Sequence, residues 1–138
     1  MDTPGAGDYN RPMKALGLAW LGTRTEHYAT MVTFLRERLG LDLDSEERDF
    51  AVFRLPDGST MEVFGPASEY NHHFTTGPVA GFLVEDVHAA VEELRAAGTE
   101  IVQEPDGNFW AHFRAPDGNV YEVTADPELL ESRRARGE

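Results

Sequence analysis

Hydrophobic and polar positions follow the same course twice along this chain. In the first half, an apolar run at 15–23 is typical of a buried strand, and apolar residues at helical spacing follow from Tyr28 to Leu39. Alternating apolar and polar positions then predict three strands, at 41–45, 50–55 and 60–64. The first half therefore predicts the order βαβββ.

The second half repeats this order. A strand is predicted at 79–84, Asp86 is placed to cap a helix, and Gly98 is placed to end it. Three strands follow, near Ile101, at 109–113 and at 120–124. The helices match as well, because Val32, Leu35 and Arg36 recur 59 positions later as Val91, Leu94 and Arg95. Such a spacing indicates internal duplication.

The clearest repeat is a turn followed by a strand. Residues 55–64 read LPDGSTMEVF and residues 115–124 read APDGNVYEVT, an offset of 60. Proline presets φ, aspartate caps the turn and glycine accepts a positive φ, so Pro-Asp-Gly predicts a tight turn before each strand. Each strand carries one glutamate, Glu62 or Glu122, which alternation turns away from its apolar neighbours. Two carboxylates at equivalent points of a repeat predict a site.

The repeat also predicts how the chain is divided. Residues 1–13 are rich in Gly, Pro and Asp and predict a flexible tail. Residues 14–126 form one domain, with module one at 14–66 and module two at 77–126. Residues 127–138 predict a charged C-terminal tail.

Composition narrows the functional classes. The chain has 138 residues, with 12 Lys and Arg against 25 Asp and Glu, and a formal charge of −13. This charge repels nucleic acid and anionic membrane surfaces and attracts cationic ligands. There is no cysteine, which excludes disulfides and thiol chemistry. No apolar run reaches the roughly 18 residues of a membrane span. We therefore expect a cytoplasmic protein without nucleic-acid or membrane partners.

Several of these segments together resemble the vicinal oxygen chelate superfamily, which includes glyoxalase I, bleomycin-resistance proteins, fosfomycin-resistance enzymes and extradiol dioxygenases. The resemblance is carried by the doubled βαβββ order, the FLRERLGL end of the first helix, the FLVEDVHAAVEELRAAG segment and the two PDG-to-glutamate strands, and it covers 15–126. It implies an α+β fold in which two tandem βαβββ modules, related by pseudo-twofold symmetry, form a curled sheet around a cleft. It also implies a homodimer.

The resemblance further implies a site for one divalent metal ion, because metal-dependent members place a His or Gln on the first strand of each module and a Glu on the last. Glu62 and Glu122 match the two last-strand positions. The first-strand positions fall on Val79 and on Leu18 or Trp20, which carry no metal-binding group. The usual set of four ligands is therefore incomplete.

Histidine could complete such a site. His112 alternates with Trp110 and Arg114 on the strand before Glu122 and is the candidate third metal ligand, although a half-exposed histidine without function is the alternative. His72 and His73 are adjacent in the linker 65–77, where at most one of them could reach the site.

The glutamates have two further interpretations. Arg54 precedes Glu62 and Arg114 precedes Glu122 at the same spacing, so each arginine could hold its glutamate ionised as a structural pair. Alternatively, an apolar pocket could raise the pKa of one carboxyl group and make it a base for proton transfer. The candidate ligand-binding residues are Trp20, Arg54, Phe64, Trp110, His112 and Arg114.

Two functions follow from this pattern. The first is a small-molecule binding protein of the glyoxalase and bleomycin-resistance type, which sequesters an aromatic or cationic metabolite. The alternative is a divalent-metal-dependent lyase, isomerase or oxygenase in which Glu62 and Glu122 are catalytic. The missing first-strand histidines and the acidity favour binding, and the retention of both glutamates favours the enzyme.

Overall fold

A computed structural model describes residues 13–75 and 77–138, so the predicted tail lies outside the described residues except for Met13. The first half contains β1 (Gly17–Arg24), α1 (Tyr28–Glu37), β2 (Asp42–Glu47), β3 (Phe50–Arg54) and β4 (Thr60–Phe64). The second half contains β5 (Val79–Leu83), α2 (Val87–Ala96), β6 (Glu100–Gln103), β7 (Trp110–Arg114), β8 (Val120–Thr124) and α3 (Pro127–Ala135). The predicted order of elements is confirmed.

The strands form one eight-stranded sheet in the order β2-β3-β4-β1-β5-β8-β7-β6. The central strands β1 and β5 are antiparallel, while β1 pairs with β4, and β5 with β8, in parallel. Gly22 lies opposite Glu62 in the first parallel pair, and Gly81 lies opposite Glu122 in the second. The two modules are therefore related by a pseudo-twofold axis between β1 and β5, and the α+β fold that the family resemblance implied is confirmed.

Helices α1 and α2 cover one face of the sheet. Val63 of β4 packs in a buried cluster with Val32 and Leu35 of α1. Val123 of β8 packs in the equivalent cluster with residues of α2, including Val91. Because side chains alternate along a strand, the same register turns both cleft glutamates to the opposite face.

The two module helices begin differently. In α2, the Asp86 carboxylate accepts hydrogen bonds from the backbone N–H groups of His88 and Ala89, both at 3.0 Å. In α1, the N-cap is His27, which makes no side-chain cap, and Thr25 Oγ1 instead accepts from the His27 N–H. Helix α1 therefore begins without a side-chain cap on its N-terminal N–H groups.

β1 departs from regular alternation. Its pairing with β5 shifts register between Leu18 and Trp20, so a bulge at Ala19 separates them. Leu18 is 66 % exposed, whereas Trp20 lies in the cleft. The apolar run at 15–23 therefore does not form a uniformly buried strand.

The last residues form a helix that packs on the domain. Asp126 accepts hydrogen bonds from the N–H groups of Glu128 and Leu129 and so caps α3. Leu130 is buried against Ala19 and Leu83. Burial of Leu130 holds this charged segment against the domain. Within the described residues, no helix is long and apolar enough to cross a membrane.

Candidate functional site

The face of the sheet opposite α1 and α2 encloses a cleft of about 660 Å³. Its lining comes from both modules and from residues that follow each of them, and six lining side chains are aromatic: Trp20, Phe50, Phe64, Tyr70, Phe109 and Trp110. Glu62 and Glu122 line the same cleft. The structure thus brings the two predicted carboxylates together within one chain.

Glu62 is the half-buried carboxyl group of the cleft. Burial raises its pKa to about 7, the charge of Glu122 adds to this effect, and a hydrogen bond from Trp20 opposes it. A carboxyl group in this range exchanges protons near neutral pH, which is what a proton-transfer base requires.

Glu122 is buried more deeply, with 6 % of its surface exposed. Burial raises its pKa well above the ordinary value, and the charge of Asp126 raises it further. The absence of a side chain at Gly81 makes room for it, because a Cβ atom there would lie 2.9 Å from Glu122 Oε2 and 3.1 Å from the Trp20 Cβ. The carboxyl group is therefore held in a fitted position on the cleft wall.

His112 lies opposite Glu122 on the neighbouring strand β7. Its Nε2 is 2.9 Å from Glu122 Oε1, and its Nδ1 is 2.8 Å from His73 Nε2. His112 is fully buried, not half-exposed, and burial lowers its pKa to about 4. The pKa of His73 is also lowered to about 4, mainly by burial and secondarily by His112. Burial thus keeps both histidines neutral at neutral pH and shifts Glu122 towards its protonated form.

The linker delivers His73 to this position. The Arg24 guanidinium donates hydrogen bonds to the carbonyl groups of Gly65 and Asn71, and also to those of Ser68 and Tyr70 between them. The same guanidinium lies over the Phe64 ring, 5.5 Å from its centroid. These contacts fix the path of the linker across the cleft face.

Phe74 completes the anchoring of the linker. It is 2 % exposed and packs with Phe64, Val79 and Val120. His73 was not among the predicted site residues, because the polar composition of 65–77 is typical of an exposed connection. The one signal in the sequence was the large apolar side chain of Phe74 directly after it.

The two arginines of the repeat do not pair with the cleft glutamates. Arg54 donates to the Gly58 carbonyl at 3.1 Å and contacts Asp44 at 3.3 Å. Arg114 makes the equivalent contact with the Gly118 carbonyl at 2.9 Å. Both arginines therefore brace the Pro-Asp-Gly turns, and the hypothesis of arginine–glutamate pairs is wrong. Arg54 lines the cleft, but Arg114 is not among the lining residues.

The residues of the cleft do not fit a divalent metal ion. The pseudo-twofold axis makes Trp20 equivalent to Val79, and neither side chain offers a metal ligand. The described residues contain no group of three or more His, Asp or Glu side chains that could hold a metal. Both ring nitrogens of His112, the predicted third ligand, are within hydrogen-bond distance of Glu122 or His73.

Comparisons with known proteins bear on the fold and the family. A family model described as the Glyoxalase/Bleomycin resistance protein/Dioxygenase superfamily matches residues 17–123. Methylmalonyl-CoA epimerase from Mycobacterium tuberculosis is 18% identical with a TM-score of 0.61, and the match covers 88% of this chain and 95% of that one. No curated protein matches the chain.

Two further solved structures share the fold. A structure described as NAD-dependent benzaldehyde dehydrogenase from Legionella pneumophila is 16% identical with a TM-score of 0.58, covering 76% of this chain and 96% of that chain. A variant of homoprotocatechuate 2,3-dioxygenase from Brevibacterium fuscum is 20% identical with a TM-score of 0.63; the match covers 82% of this chain but only 33% of that one.

At these identities the similar structures establish the fold and nothing finer. The family model adds membership, since it spans both copies of the repeat. Together with the paired modules and their shared cleft, this match shows that the chain belongs to the glyoxalase/bleomycin resistance protein/dioxygenase superfamily.

Proposed function

We propose that this protein binds a planar, uncharged or cationic small molecule in the cleft, in the manner of a bleomycin-resistance-type binding protein. The observation that carries the proposal is the aromatic lining of a cavity of about 660 Å³. A cavity of this size suits a drug-sized ligand. Aromatic side chains offer such a guest large contact areas and stacking faces.

Charge supports the same class of ligand. Four acidic residues line the cleft (Glu62, Glu122, Asp126 and Glu128) against one base, Arg54. Arg54 is engaged by Asp44 at 3.3 Å and approached by Glu128 at 3.9 Å, which reduces its attraction for an anion. The overall charge of −13 also opposes the approach of anions.

A metal-independent proton-transfer enzyme is the second candidate. It is favoured by Glu62, whose pKa is raised to about 7 inside an apolar cleft. A carboxyl group so placed would accept or donate a proton at a bound ligand near neutral pH. Binding of a metabolite with turnover would favour this candidate, and binding without turnover would favour sequestration.

A thermal-shift experiment at low salt tests the proposal. The probes are naphthol, naphthylmethylammonium and naphthoate, which share one ring system and differ in charge, together with bleomycin-type antibiotics. We expect the neutral and cationic probes to stabilise the protein, by about 2.7 kcal/mol at a hundred times the dissociation constant. Stabilisation by naphthoate alone would contradict the proposal.

Matched variants locate the binding. Trp110→Leu removes a stacking surface from the cleft wall and should abolish most of the shift. Phe34→Leu changes an exposed aromatic residue on α1, outside the cleft, and should leave the shift unchanged. An equal loss of the thermal shift in both variants would contradict binding in the cleft.

A further inference from the structure

We infer that Glu122, His112 and His73 form a proton-transfer chain that connects the cleft with the linker surface. Two hydrogen-bond distances define the chain: 2.9 Å from Glu122 Oε1 to His112 Nε2, and 2.8 Å from His112 Nδ1 to His73 Nε2. Glu122 lies on the cleft wall, and His73 lies half-buried in the linker. The inference does not depend on which ligand the cleft binds.

A single imidazole ring links the two hydrogen bonds. Neutral histidine carries one N–H group and one acceptor nitrogen, so His112 donates on one side and accepts on the other. If Glu122 is protonated, it donates to His112 Nε2, and His112 Nδ1–H donates to His73. If Glu122 is ionised, both donors point the opposite way. The tautomers of the two histidines therefore report the state of the carboxyl group.

Because His112 is buried, a proton passes through its ring by an exchange of tautomers. The His112 ring is fully buried, with Phe74 at 4.9 Å and Trp20 at 6.5 Å between ring centroids. These surroundings penalise an imidazolium ion, which agrees with the lowered pKa of His112. Transfer through His112 therefore avoids the imidazolium ion: one proton binds to one ring nitrogen while a second proton leaves the opposite ring nitrogen.

The transfer balances as follows. A water or hydroxide takes the proton from Nδ1 of His73; the proton on His112 Nδ1 moves to His73 Nε2, and the proton on Glu122 moves to His112 Nε2. The outcome is a carboxylate at Glu122, two neutral histidines and one proton released to solvent. Reversal of the same steps returns a proton to the cleft.

The charged groups around Glu122 and His73 influence the direction of proton transfer. Burial and the charge of Asp126 favour the protonated form of Glu122. His73 lies within the influence of His72, Arg24 and Arg114, which together disfavour a positive charge on its ring. A cationic guest bound beside Glu122 would favour the carboxylate, and the chain gives the displaced proton an exit that the guest does not block.

Long-range proton–nitrogen NMR of the full-length protein, labelled at the histidine rings, tests the inference without a ligand. As the pH rises through the pKa of Glu122, His112 and His73 should switch tautomer at one common midpoint without becoming imidazolium. In Glu122→Gln the switch should be absent. Unchanged tautomers in the wild type, or separate midpoints for the two rings, would overturn the inference.

Proton exchange provides a second test. His73→Phe retains an aromatic ring beside Phe74 and His112 but has no nitrogen. Exchange of the His112 ring proton with water should slow by at least about tenfold, because it would then require local opening of the structure. His72→Phe, at the exposed neighbouring position, is the matched control and should exchange as the wild type does. Equal exchange in His73→Phe and the wild type would show that the proton leaves by another route.

Discussion

Glu62 and Glu122 occupy equivalent positions in two copied strands, yet their chemical surroundings differ. On the antiparallel neighbour of each strand, the residue opposite Glu62 is Val52 of β3, whereas the residue opposite Glu122 is His112 of β7. Glu62 therefore has an apolar neighbour and a hydrogen bond from Trp20, while Glu122 has a histidine chain behind it. The comparison teaches that duplication copied the backbone position of the carboxyl group, and that one cross-strand partner decides where its proton can go.

The largest expected effect comes from making the second module like the first. His112→Val should lower the free energy of unfolding by about 2–4 kcal/mol, because it leaves Glu122 buried without its partner and opens a small cavity. Urea denaturation measures the change. The matched exchange, Val52→Ile, adds volume beside Glu62 without a polar group and should cost less. A loss below about 0.5 kcal/mol in His112→Val would show that Glu122 is satisfied without the histidine.

The pKa of Glu62 predicts how stability depends on pH. Its folded pKa of about 7 exceeds the ordinary value of 4.5, so its contribution to stability is present below pH 4.5 and is lost as the pH rises through 7. Glu62→Gln removes this loss, so its free energy of unfolding should exceed that of the wild type by about 3 kcal/mol above pH 7, with no gain at pH 4.5.

His73 and His112 also make the free energy of unfolding depend on pH, so the effect of Glu62 is measured as the difference between the wild type and Glu62→Gln. His73 and His112 have pKa values lowered to about 4 from the ordinary 6.5, so they destabilise the fold as the pH falls below 6.5. That effect is common to the wild type and Glu62→Gln and cancels in their difference. A difference that does not change with pH would contradict the raised pKa of Glu62.

The smallest effect concerns the two helices. Asp86→Ala removes the side-chain cap of α2 and should cost about 1 kcal/mol. His27→Ala, at the equivalent N-cap of α1, removes no side-chain cap and should be nearly neutral. Thermal unfolding of both variants measures the comparison. Equal losses of stability in the two variants would mean that the side-chain cap of Asp86 does not stabilise the protein.

The features predicted correctly from sequence are those that depend on local patterns. Alternation and the Pro-Asp-Gly turns are short-range, which is why they predicted the order of the elements along the chain and turned each glutamate away from its apolar neighbours. Two features that the sequence pattern did not specify, the exposure of Leu18 and the packing of α3 on the domain, depend on distant contacts. The bulge at Ala19 adjusts the pairing of β1 with β5, and α3 is ordered by the burial of Leu130.

The same distinction between local patterns and distant contacts applies to the residues of the cleft. The cross-strand partnership of His112 and Glu122 follows from register, since both residues belong to neighbouring strands of one module. The contact of His73 with His112 spans 39 positions and depends on the path of the linker. No local pattern in 65–77 encodes that path, because Arg24 fixes it from β1.

The way in which Arg24 holds the linker makes the cleft open to redesign. The guanidinium binds main-chain carbonyl groups of 65–71, which any amino acid provides. Tyr70 and Asn71 in this stretch contribute their side chains to the cleft wall. Libraries that vary Tyr70 would therefore alter ligand preference while the backbone keeps its course. Asn71 is less free to vary, because its φ of 51° lies in the left-handed region, which favours Asn and Gly. Selectivity can thus diverge at Tyr70 without a matching change in the scaffold.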